Sequence, residues 1–145
     1  MKFSRKWLKH KRIAVDTSFL IPLLADRVEA ESVYEQTLHL AESKSMSIVT
    51  STVTLLELLV QPYRSKDYDF INYVYGHLTQ SDLVSLIPVD ADIADRAAEF
   101  RARYQFKTPD AIQLATAVRS KATLLLTLDK DFKRQREIEI GCPLN

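Results

Sequence analysis

Short apolar stretches alternate with longer helical ones along this chain, and this alternation decides what it can fold into. Ile13-Ala14-Val15 stops abruptly at Asp16-Thr17-Ser18 and reads as a buried strand. Ser47-Ile48-Val49-Thr50 and Leu83 to Val89 are two more strands, and Thr123-Leu124-Leu125-Leu126-Thr127 is a central one that runs into Leu128-Asp129. Ile138-Glu139-Ile140 suits a final edge strand. Between them the periodicity predicts helices over Phe19 to Ala25, Glu29 to Ser43, Thr52 to Val60, Tyr68 to Leu78 and Thr108 to Arg119, and one capped by Asp90 that runs through Tyr104. Val33, Tyr34, Leu38 and Ala41 share one side of the second helix, and Pro62 is expected to stop the third. Strands alternating with helices imply an α/β domain whose central, mostly parallel β-sheet is flanked by helices. There is no internal repeat and no linker.

In such sheets working groups gather at the carboxyl ends of the strands. Asp16 ends the first strand and Asp129 follows the Thr123–Thr127 strand, so both reach one rim. A third acid, Asp110, opens the most apolar helix of the chain. Thr108 suits its N-cap and Pro109 its first turn, and Ala111 to Val118 is broken only by Gln113 and Thr116. By itself Asp110 needs no more explanation than the helix dipole, worth about 0.3–1 kcal/mol. Glu57 is the fourth acid. It sits among Val53, Leu55, Leu56, Leu58, Leu59 and Val60, where a carboxylate needs solvent, a basic partner or a metal.

Composition narrows the chemistry. The 145 residues fit one domain with a full core. With only Gly76 and Gly141, no glycine-rich phosphate loop is present. One cysteine, Cys142, excludes an internal disulfide and a cysteine-based zinc site, and suits a cytoplasmic protein. No apolar run reaches the roughly 18 residues of a membrane span. The net charge of +1 conceals an asymmetry. Residues 1–12 carry Lys2, Arg5, Lys6, Lys9, Lys11 and Arg12 and no acid, leaving 14 basic residues against 19 acidic ones in the remainder. The chain thus divides into a basic N-terminal arm, 1–12, and a domain, 13–145. The arm reads either as a polyanion contact or as a solvated end. His10, His39 and His77 lie outside the acidic motifs and read as surface residues.

Four carboxylates in one cleft repel each other, and a divalent cation removes that conflict. Hard oxygen ligands without histidine or cysteine favour Mg²⁺ or Mn²⁺ over zinc. Such an ion can supply a water nucleophile for a phosphodiester and offset charge on the leaving oxygen.

Val15-Asp16-Thr17-Ser18, Leu56-Glu57-Leu58, Thr108-Pro109-Asp110-Ala111-Ile112-Gln113-Leu114-Ala115 and Leu126-Thr127-Leu128-Asp129-Lys130-Asp131-Phe132, in this order, resemble the PIN-domain nucleases, and among them the VapC-type toxins of bacterial toxin–antitoxin pairs. The resemblance runs from Ile13 to about Ile140. It implies a single PIN-like domain and a Mg²⁺-dependent endoribonuclease, often dimeric, inhibited by a cognate antitoxin. It also implies an acidic site of Asp16, Glu57, Asp110 and Asp129, supported by Ser18 and Thr127. The family often has Asn where this chain has Leu128, and Asp131 is a rival for the fourth acid. The alternative is a non-catalytic or solitary PIN-like module that binds RNA or protein. A phosphotransferase would want Asp-x-Asp after the first strand, and a receiver domain an acid pair there and a late lysine; neither pattern is present.

Overall fold

The computed structural model describes residues 3–24, 28–44 and 46–143, with side chains described outside 22–34 and 44. Five strands form one parallel sheet: β1 (Arg12–Val15), β2 (Ser47–Ser51), β3 (Val84–Ile87), β4 (Leu124–Leu126) and β5 (Glu139–Gly141). Their order is β3-β2-β1-β4-β5. Among the described residues six helices connect them: α1 (Thr17–Leu24) and α2 (Val28–Lys44) after β1, α3 (Thr52–Ser65) and α4 (Tyr68–Thr79) after β2, and α5 (Ala91–Tyr104) and α6 (Thr108–Arg119) after β3.

Alternation along the strands explains the layering. Successive side chains point to opposite faces of a sheet, and a parallel sheet buries both. Ile13, Val15, Ile48, Leu124 and Leu126 belong to one core, shared with residues of α1 to α4. Ala14, Val49 and Leu125 belong to the other, shared with Ile93, Ala97 and Phe100 of α5 and Ala111 and Leu114 of α6. Among the described residues three helix ends carry a left-handed residue, and with glycine so scarce these are Lys66, Gln105 and Lys121. Ala25, the expected end of the first helix, and the side chains of Val33 and Tyr34 lie outside the described residues, as does Lys2.

Three local expectations need correcting. Pro62 does not end the third helix. It is buried inside α3, which runs one further turn to Ser65 and closes on left-handed Lys66. Only one backbone bond is lost by a proline so near the C-terminus, and burial against the core outweighs it. Thr108 is the first helical residue, not the cap, which is Lys107 without a side-chain bond. The Thr108 hydroxyl instead accepts from Arg101 Nη1 at 2.9 Å.

His10 is not a surface residue: it is buried, with Nδ1 2.8 Å from Thr123 Oγ1. It is drawn in because the chain before β1 folds back on the sheet. Arg5–Lys9 form a 3₁₀ turn that buries Trp7 in the first core, edge-on to Phe3 at 5.2 Å. Lys9 pairs with Glu139 at the start of β5, and the Lys11 carbonyl accepts from Ser47 at the start of β2. These basic residues therefore lie at the amino end of the strands, opposite the acidic rim.

Gly141 is the seat for Trp7. A Cβ there would come within 2.7 Å of Leu126 Cδ2 and 2.9 Å of Trp7 Cε2. Gly141→Ala should cost about 1–3 kcal/mol, as overpacking does. Trp7→Ala should cost about 3–5 kcal/mol through the cavity it leaves. Urea unfolding of both variants checks this. A wild-type midpoint for Trp7→Ala would show that the segment before β1 is not part of the core.

Candidate active site

The sheet reverses its winding direction at β1, between the β2 side and the β4 side, and in open α/β sheets such a switch point opens a crevice beyond the strand ends. Here a cleft of about 150 Å³ lies at that place, lined by Asp16, Thr17, Ser18, Ile21, Glu57, Asp110, Gln113 and Asp129. All four acids singled out in the sequence meet in it. Asp16 comes from the end of β1, Glu57 from α3, Asp110 from the first turn of α6, and Asp129 from the residues after β4.

Asp16 is the most deeply set. Its Oδ1 accepts from Ser18 Oγ at 2.7 Å and the Phe19 amide at 3.1 Å, and its Oδ2 from Thr127 Oγ1 at 2.6 Å. Thr127 also accepts from the Asp129 amide at 3.0 Å, and Ser18 from the Leu128 amide at 2.9 Å. Ser18 and Thr127 thus tie the ends of β1 and β4 together and orient both aspartates. Asp129 Oδ1 accepts from the Asp131 amide at 2.8 Å and caps a 3₁₀ turn, Lys130–Arg134. Asp131 is exposed beside Arg134, and of the two it is Asp129 that lines the cleft.

Glu57 is exposed rather than buried, so its apolar neighbours in sequence exact no desolvation cost. Leu56 and Val60 also face outward, at 63% and 41% exposure. The Glu57 Oε1 atom accepts from Thr17 Oγ1 at 2.7 Å. Behind Thr17 lies a buried polar cluster of Thr50, Thr54 and Gln113. Motif reading passed over Thr17, Thr54 and Gln113. The signal was present, since Thr54 and Gln113 interrupt otherwise apolar helix faces.

The electrostatics are those of acids without counter-ions. Among the described residues none of the four is ion-paired. Burial pushes the Asp16 carboxyl up to about 6 against its three hydrogen bonds, and the Asp129 charge adds to the rise. Asp110 is also raised, first by burial and then by Asp129, Glu57 and Asp131, with Lys107 opposing. No three His, Cys, Asp or Glu side chains among the described residues form a ready-made metal cage.

The Asp16 shift has a stability consequence. Between about pH 4 and pH 6 the native protein holds a proton that the unfolded chain has released. Stability of the metal-free protein should therefore fall as pH rises through that window, by about 3 kcal/mol for this group, and stay low above it. Asp16→Asn should lose that part of the slope, as urea melts from pH 4 to 7 would show. Equal slopes for the two proteins would mean that the Asp16 charge is not held at a cost.

A profile of the PIN domain matches residues 13–138. The chain belongs to the PIN-domain family. No curated protein shows significant similarity to it. Among solved structures, VapBC2 of Rickettsia felis bound to a fragment of its promoter DNA is 18% identical, covering 90% of this chain and 98% of the other, with a TM-score of 0.72. VapC20 of Mycobacterium tuberculosis, a sarcin–ricin-loop-cleaving toxin, is 24% identical over 88% and 97%, with a TM-score of 0.67. A toxin–antitoxin complex from Klebsiella pneumoniae is 29% identical over 83% and 89%, with a TM-score of 0.59. The fold is thus that of a VapC-like PIN domain.

Proposed function

We propose that this protein is a Mg²⁺- or Mn²⁺-dependent endoribonuclease and the toxin of a type II toxin–antitoxin pair. The observation that carries the reading is the convergence of Asp16, Glu57, Asp110 and Asp129 on one cleft, none of them ion-paired among the described residues. The VapC-like fold and a similar toxin that cleaves the sarcin–ricin loop support it. Asp16 and Asp110, whose carboxyls are raised by burial and by neighbouring acids, are also receptive to a divalent cation. The donor set fits Mg²⁺, which takes one or two carboxylates directly and keeps several waters, so a tight cage is not required. Asp16, Glu57, Asp110 and Asp129 would hold it. When bound, the ion supplies an activated water and stabilises charge on the phosphate and the leaving oxygen.

The chain's own residues do the positioning. Ser18, Thr127 and the Phe19 amide fix both oxygens of Asp16. The capping bond to Asp131 occupies one oxygen of Asp129, leaving Oδ2 free to turn to the cleft.

The partner we assign is a cognate antitoxin, with a second copy of this chain as the other. In support, Leu56, Val60 and Tyr63 of α3 and Tyr68, Tyr73 and Tyr75 of α4 are all exposed. Aromatics are enriched in interfaces, and the similar structures include toxin–antitoxin complexes. No helix among the described residues is long and apolar enough to cross a membrane.

Closed circular RNA tests the activity class, because only an endonuclease opens it. Linear product should appear with Mg²⁺. Intact circles at enzyme excess across several RNA sequences would leave the binding-module reading in its place.

A further inference from the structure

The apolar faces of α3 and α6 meet behind the cleft, and each carries a polar residue where it should be dry. Thr54 is fully buried, Gln113 is 4% exposed and Thr17, just in front of them, 8%. Gln113 Nε2 lies 2.7 Å from Thr54 Oγ1 and 3.2 Å from Thr17 Oγ1, so both amide hydrogens have acceptors. Thr50 Oγ1 is 2.7 Å from the Val15 carbonyl and 2.8 Å from Thr54 Oγ1.

Hydrogen counting fixes the directions. A hydroxyl has one hydrogen and a carbonyl can only accept. Thr50 therefore gives its hydrogen to Val15, and Thr54 gives its own to Thr50. Thr17 receives from Gln113 and has one hydrogen left. Its nearer acceptor is Glu57 Oε1 at 2.7 Å, against 3.3 Å to Thr54 Oγ1. The carboxylate can only accept, so Thr17 donates to Glu57, and the amide of Gln113 on the other side of the hydroxyl holds it in that orientation. An acceptor at that position would pull the hydrogen inward and release the carboxylate.

We propose that Gln113 is a positioning residue of the acid cleft, which acts through the Thr17 hydroxyl to hold the exposed Glu57 carboxylate ready for a divalent cation. This rests on the nuclease reading above. It adds that one of the four carboxylates is placed by a buried amide on a different helix. Glu57 is exposed and also stands at the lip of a neighbouring groove, lined by Leu58, Gln61, Pro62 and Phe70. A buried amide that only satisfied its neighbours could be replaced by an apolar isostere without effect on the cleft.

Mn²⁺ binding to the full chain, followed by calorimetry, separates these roles without reference to cleavage. Gln113→Leu and Thr17→Val should each weaken Mn²⁺ binding roughly 10- to 100-fold, the usual effect of removing a group that orients a ligand. The double variant should be no weaker than the poorer single, because Gln113 reaches Glu57 only through the Thr17 hydroxyl that Thr17→Val already removes. Thr17→Ser keeps the hydroxyl and should bind as wild type does. In a Glu57→Gln background, Gln113→Leu should have no further effect.

If Gln113→Leu does not fold, the Thr17 pair decides, and equal Mn²⁺ affinity for Thr17→Val and Thr17→Ser overturns the proposal. Wild-type affinity in a folded Gln113→Leu overturns it as well, and leaves the nuclease reading standing. A wild-type protein that neither binds Mn²⁺ nor cuts RNA removes both.

Discussion

Asp110→Asn should reduce RNA cleavage by more than about 100-fold while leaving the fold intact. The loss exceeds that expected for a group that merely orients a ligand, because Asp110 is itself one of the four acids facing the cleft. The fold should survive because the substitution preserves volume and the α6 cap is Lys107. Two opposing effects set the stability of the metal-free variant. A first-turn carboxylate that complements the helix dipole is lost, at about 0.3–1 kcal/mol. Repulsion from Asp129, Glu57 and Asp131, which together with burial raises the Asp110 carboxyl, is relieved. Metal-free melting should therefore place the variant level with wild type or slightly above it. Saturating Mg²⁺ should reverse the order, since bound ligand stabilises the native state according to its affinity. If Asp110 served only the helix dipole, the variant would show a small loss independent of Mg²⁺ and near-normal cleavage. Thermal melts with and without Mg²⁺ distinguish the two.

The layout of this chain was legible because its signals are local. Strands such as Leu124–Leu126 are too short and too apolar to be anything but buried parallel strands, and the acids at their ends follow from strand polarity. Asp90 as the cap of α5 was equally readable, and it accepts from the Ile93 amide at 2.9 Å. What escaped depends on partners distant in sequence. His10 is buried by Thr123, 113 residues away, and Trp7 by Gly141. Pro62 was read as a stop because a local rule says so, yet it lies in a turn held by the core. Apolar sequence neighbours left Glu57 with solvent, a basic partner or a metal as outlets, and only the fold shows that Leu56 and Val60 share its exposure. Thr54 and Gln113 were visible as polar interruptions, but their meaning lay in the pairing of α3 with α6, which no single helix reveals.

The largest expected effect is that of removing divalent ions. EDTA should abolish cleavage altogether, because four unneutralised acids at the carboxyl end of the sheet repel the phosphodiester they are proposed to cut. Adding Mg²⁺ or Mn²⁺ back should restore it, and a zinc-selective chelator should have no effect on an all-oxygen site. Restoration should weaken below about pH 6, where the buried Asp16 carboxyl takes up a proton that competes with the ion. The most direct test is one titration. Purified wild-type protein and Asp110→Asn are assayed on the same circular RNA in EDTA and then in rising Mn²⁺. The account predicts no cleavage by either protein in EDTA, saturable recovery for wild type, and little or none for Asp110→Asn. Full cleavage by wild type in EDTA, or equal recovery by both proteins, would contradict it.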